Sequence, residues 1–118
     1  MSVVKEKGSR TFTVPSTSGS YAFERFTVGD VKAGMVQDSF QGITVNVDTS
    51  VASMTCELWL PRIDATPGSL IDSDYTYTGK SIGATGSETW SLAGYPGAQI
   101  RVKSGGTSGS ARLSVSAF

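Results

Sequence analysis

The chain has 118 residues, ten Lys/Arg against ten Asp/Glu and no histidine, which is the size of one domain able to bury its own core. Zero net charge excludes a global pull toward nucleic acid or a membrane surface, and no apolar run approaches the length of a membrane span. The missing histidine excludes Ser-His-Asp and Cys-His catalysis and the commonest zinc ligand, while the lone Cys56 excludes an internal disulfide.

In chain order, residues 1–10 read as a polar arm carrying Lys5, Lys7 and Arg10. The first residues lack the apolar core of a signal peptide, so folding in a reducing cytoplasm is expected. Residues 11–14 form a short strand closed by Pro15, and 16–20 a flexible loop. Residues 21–28 form a second strand whose alternation slips near Arg25 and Phe26, the mark of a bulge or bend. Gly29-Asp30 and Ala33-Gly34 bracket a turn. Residues 40–48 are a strand with Ile43, Val45 and Val47 inward. Residues 52–60 follow, with Met54, Cys56, Leu58 and Leu60 on one face and Thr55, Glu57 and Trp59 on the other.

Pro61 opens a long loop over 61–73 that contains the turn pair Pro67-Gly68. Residues 74–78 are a short Tyr/Thr strand, 79–87 a loop and 88–92 a further strand. At the end, Ile100 and Val102 alternate with Arg101 and Lys103. Beyond a glycine-rich loop, Ala111, Leu113, Val115 and Ala117 alternate with Arg112, Ser114 and Ser116. This reads as a C-terminal hairpin with one buried face. The whole is expected to be all-β: a single antiparallel β-sandwich of about eight strands over 11–118, with almost no helix.

The residues that could carry chemistry each have a plain structural reading. Cys56 is in phase with Met54, Leu58 and Leu60, so it belongs to the core rather than to a nucleophile without a base. Asp64, Asp72 and Asp74 offer hard oxygens for calcium, but without the spacing of an EF-hand loop they read as solvated acids. The run Ser104-Gly-Gly-Thr-Ser-Gly109 lacks the Gly-Lys-Ser/Thr of a phosphate loop, and a strand follows it rather than a helix. No cofactor, metal or catalytic residue is expected. Trp59 is either second-sheet core, the favoured reading, or an exposed anchor for a partner.

If Ile100 pairs with Leu113, Arg101 falls opposite Arg112, and these two with Lys103 form a positive solvent face. Together with Lys5, Lys7 and Arg10 of the arm, they are the candidate partner-binding residues. The alternative is that they splay into water and keep an edge soluble, which leaves the arm or loop 61–73 as the contact.

The segment Tyr95-Pro-Gly-Ala-Gln-Ile-Arg-Val-Lys-Ser-Gly-Gly-Thr-Ser-Gly-Ser-Ala-Arg-Leu-Ser-Val115 resembles the ending of small structural proteins from tailed-bacteriophage head gene clusters. The resemblance implies a capsid decoration, or cement, protein: a virion structural β-sandwich, made in the bacterial cytoplasm and bound to the outer surface of the head. Its implied partners are the major capsid protein and possible further copies of itself, with no enzyme activity and no nucleic-acid or membrane contact. The competing expectation is a carbohydrate- or receptor-binding module of a phage tail or fibre, with Trp59, Tyr75, Tyr77 and Trp90 as a stacking platform. An enzyme would require a deep pocket with paired carboxylates.

Overall fold

The structure, a computed structural model, describes residues 7–29, 41–51, 53–65, 70–92, 95 and 97–118. Among the described residues, eight strands run in chain order: β1 (Lys7–Val14), β2 (Tyr21–Gly29), β3 (Gly42–Thr49), β4 (Met54–Pro61), β5 (Tyr75–Gly83), β6 (Ser87–Ser91), β7 (Gly97–Ser104) and β8 (Gly109–Ala117). One 3-10 turn at Asp72–Asp74 precedes β5. The strands form two four-stranded antiparallel sheets, ordered β1-β8-β3-β6 and β2-β7-β4-β5. That interleaving of two Greek keys is a jelly roll.

The alternation read from the sequence fills the space between the sheets. Ile43, Val45 and Val47 of β3 and Leu113 and Val115 of β8 meet Cys56 and Leu58 of β4 and Ile100 and Val102 of β7, all at most 5% exposed. Burying a side chain of this size contributes about 1.5–3 kcal/mol relative to leaving it in water. Leu60, expected in the core, is only partly buried and packs at its margin.

Four expectations are corrected. First, β7 and β8 are not a hairpin. β7 pairs with β2 and β4, whereas β8 pairs with β1 and β3, so residues 105–108 carry the chain from one sheet to the other. Period-two alternation is the same for a hairpin and for two strands facing across a core, which is why the sequence pattern did not separate them. Second, most of the expected loop 79–87 is strand. β5 continues to Gly83, placing Thr78, Gly79 and Lys80 opposite the single Leu58. Gly79 takes φ +84° there, a backbone conformation that favours glycine, and Thr78 Oγ1 donates to the Leu58 carbonyl at 2.8 Å.

Third, residues 7–10 of the expected arm 1–10 are strand and pair with β8. Lys5 lies outside the described residues, as do Asp30, Ala33-Gly34, Phe40 and Pro67-Gly68. Fourth, Trp59 is not in the core but on the outer face of its sheet. The slip near Arg25 is present as a register shift between Tyr21 and Arg25.

The register also defines the two ends of the sandwich. β4 leaves at Pro61 opposite Tyr75, β7 starts at Gly97 opposite Gly29, and Ala117 lies opposite Ile43. β6, which ends at Ser91, and β7, which starts at Gly97, belong to different sheets, so the chain changes sheet between them at this end. At the other end, connections 15–20, 50–53, 84–86 and 105–108 are composed of Ser, Thr, Gly, Ala, Pro and one Val. There the backbone bonds Gly19 N–H to Ser104 O and Gly105 N–H to Ser53 O tie the loops together.

Candidate functional site: an aromatic ladder and an apolar end

On the outer face of the β2-β7-β4-β5 sheet, alternation turns Tyr21, Gln99, Arg101, Lys103, Glu57 and Trp59 away from the core. They do not simply face water. The Arg101 guanidinium lies 3.9 Å from the Trp59 ring centroid, and Arg101 is only 8% exposed. Its Nε donates to Gln99 Oε1 at 2.9 Å and its NH2 to the Asp72 carbonyl at 2.8 Å. Gln99 Nε2 in turn donates to Asp72 Oδ1 at 2.7 Å. The 3-10 turn is thereby stitched down over the start of β7.

Trp59 is fixed from several directions. Its Nε1 donates to Glu57 Oε1 at 3.0 Å, and Tyr21 OH donates to the same oxygen at 2.8 Å. The Tyr21 ring meets Trp59 edge-on at 5.9 Å, and Tyr77 stacks on it at 5.7 Å with 28° between the planes. Such pairs add about 0.5–1.5 kcal/mol beyond buried area. Loss of water contact, then the hydrogen bond to the Glu57 carboxylate, pushes the Tyr21 phenol up to about 12. Strand order sets the ladder: β7 supplies the cation, β4 the indole and edge strand β5 the stacked phenol.

A second feature lies at the end of the sandwich where β4, β6 and β8 finish. Ile63 and Ile71 in the β4–β5 connection, Tyr95 in the β6–β7 connection and the terminal Phe118 are 105%, 63%, 39% and 48% exposed. Tyr77, at 38% exposed, continues this surface onto the sheet face. These are all the large apolar residues exposed among the described residues, and the opposite end presents small polar loops. Phe118 is held in place: Gln41 and Gly42 N–H donate to its carbonyl at 2.7 and 2.9 Å, and its own N–H donates to Gly42 O at 2.9 Å.

The expected positive patch does not form. Arg101 and Arg112 lie on opposite outer faces of the molecule, because β7 and β8 belong to different sheets. Arg101 is buried under Trp59. Arg112 is exposed and donates from Nε to Ser9 Oγ at 2.7 Å. Lys103 is half-buried near the small-loop end of its sheet. Arg10 is exposed and its guanidinium lies 4.7 Å from the Phe26 ring centroid. Lys7 begins β1.

The four-ring stacking platform is also divided, since Tyr75 and Trp90 are buried at 5% and 7% exposure and only Trp59 and Tyr77 share the outer face. The acids weighed as calcium ligands have protein partners: Asp72 holds Gln99, and Asp74 accepts from Ile71 N–H and sits 3.6 Å from Arg62. Arg62 also lies 3.5 Å from Asp64. Among the described residues no three His, Cys, Asp or Glu side chains gather as they would around a metal.

The sequence pattern did not reveal Gln99, Asp72 and Tyr21 as members of the ladder, because they converge only through sheet order. The apolar end was legible only in part, as the long loop 61–73.

No protein-family model matches the chain, and no curated protein is detectably similar to it. Solved structures do share its fold. The mitogen from Yersinia pseudotuberculosis has a TM-score of 0.56 at 11% identity over 96% of this chain and 86% of its own. The Aeromonas hydrophila PliG, a periplasmic lysozyme inhibitor of g-type lysozyme, has a TM-score of 0.54 at 16% identity over 98% of this chain and 88% of its own. The SPBc2 prophage-derived protein YomS scores 0.48 at 19% identity over 98% of both chains. At these identities the first two likenesses show the fold alone.

Proposed function

We propose that the chain is a non-enzymatic binding domain of a virion, a decoration protein that stands end-on upon the outer surface of a tailed-phage head and stabilises it. The observation that carries this reading is the gathering of Ile63, Ile71, Tyr95 and Phe118 at one end of the sandwich, opposite an end of small polar loops. Apolar side chains collected on one surface of a monomer mark a contact with another protein.

The segment that resembles phage head-cluster proteins begins at this same end, with Tyr95. The partner is the major capsid protein, and a lattice that presents its site many times needs only modest contacts per copy when each bridges neighbouring subunits. The ladder beside this end holds the 3-10 turn in a fixed shape, which lowers the ordering cost of binding.

The test is co-sedimentation with mature heads of the phage that encodes the protein. Saturable, stoichiometric addition and greater resistance of the decorated heads to heat are expected. Failure of the folded protein to bind those heads would sink the reading.

A further inference from the structure

Beside the ladder, the outer face of the β4, β5 and β7 strands holds a groove of about 520 Å³ that runs from Glu57 and Tyr77 toward the small-loop end. Thr55, Ser81, Lys103 and Gly105 also line it, and Gly83, with no side chain, leaves it open. We propose that this groove binds a neutral saccharide, with a pyranose ring seated against Tyr77.

The chemistry of the lining selects this class. Tyr77 is 38% exposed and is held by its stack on Trp59, so it offers a pre-positioned ring for the C–H face of a sugar. Glu57 is 3% exposed, and its Oε1 is occupied by Tyr21 and Trp59. Its Oε2 has no hydrogen bond among the described residues, leaving an acceptor for sugar hydroxyls. Lys103 forms no ion pair among the described residues and supplies donors, while Thr55 and Ser81 supply hydroxyls of either role. One carboxylate and one ammonium balance, which favours an uncharged ligand. The volume lies within the usual range for a small-molecule site, roughly 300–1,000 Å³.

Gly83 makes the proposal testable without disturbing the ladder. It pairs with the outward-facing Thr55, and a Cβ built on it meets nothing within 4 Å. A leucine there projects into the groove and blocks it. The experiment is saturation-transfer NMR on the whole chain with a panel of methyl pyranosides: the glucoside, galactoside, mannoside and N-acetylglucosaminide. Sorbitol serves as an acyclic control.

At least one pyranoside should receive saturation, concentrated on its ring C–H protons, and sorbitol should not. Gly83→Leu should abolish the signal and Tyr77→Ala should weaken binding about tenfold, the equivalent of one well-placed contact. No transfer to any pyranoside, an equal response to sorbitol, or wild-type binding by both folded variants overturns the proposal. The groove does not rest on the capsid reading: Gly83→Leu should still sediment with heads, so the two fail separately.

Discussion

The guanidinium of Arg101 is packed 3.9 Å from the ring centroid of Trp59, and this pair turns the outer face of one sheet into a small second layer. Below it lies the apolar core; above it, Tyr77 and Tyr21 close the sides. The cation stays hydrogen-bonded to Gln99 and to the Asp72 carbonyl, which gives a buried charge the partners it needs. Arginine suits the position because its planar group stacks and donates at once.

Arg101 and Arg112 should therefore respond differently to truncation. Arg101→Ala removes the cation–π contact and two hydrogen bonds, and a loss of about 2–3 kcal/mol is expected in urea denaturation. Arg112→Ala, on an exposed strand position, should stay within about 0.5 kcal/mol of wild type. Equal losses would contradict the burial of Arg101.

Leu58 is 1% exposed between the two sheets. Leu58→Ala should cost about 2–5 kcal/mol in the same assay, the range for a cavity that its neighbours fill incompletely. Leu60→Ala, at the core margin, should cost less.

Two groups predict weakening at high pH. Burial, then the nearby Glu57, pushes the Cys56 thiol up to about 12, and Tyr21 is raised to about 12 as well. In each case the folded state holds its proton more tightly than the unfolded chain. This stability is fully present below the unfolded values, about 8.5 for the thiol and about 10 for the phenol. It is lost as pH rises toward 12. Cys56 alone gives a slope approaching about 1.4 kcal/mol per pH unit in that window.

Denaturation midpoints should fall from about pH 8.5 upward, and Cys56→Ala and Tyr21→Phe should each flatten the decline. The native thiol should resist a bulky disulfide reagent at pH 8 and react on unfolding.

The apolar end should separate binding from stability. Ile63 and Ile71 are 105% and 63% exposed, so Ile63→Ser with Ile71→Ser should leave the thermal midpoint almost unchanged. On the decoration reading the double variant sediments with heads at markedly lower occupancy, while Arg112→Glu binds as wild type. Undiminished binding of the double variant would move the contact elsewhere on the surface.

The amino-acid sequence by itself determined which residues turn inward. Ile43, Val45 and Val47, then Cys56 and Leu58, then Ile100 and Val102, and Leu113 and Val115 alternate with polar partners, and a period of two places them on one face whatever the topology. It also determined the all-β class, because β-branched and aromatic runs are broken every few residues by Gly, Pro, Ser and Asp. Only the tertiary structure decided which strands are neighbours. Residues 105–108 are compatible with a hairpin or with a crossing between sheets, and pairing partners far away in sequence settled the crossing. That crossing separates Arg101 from Arg112 and ends the expected basic patch. The same non-local pairing brings Trp59 of β4 over Arg101 of β7 and Tyr77 of β5 against Trp59. Alternation specifies the side of a sheet on which a residue lies, but what covers that side depends on the strands placed next to it.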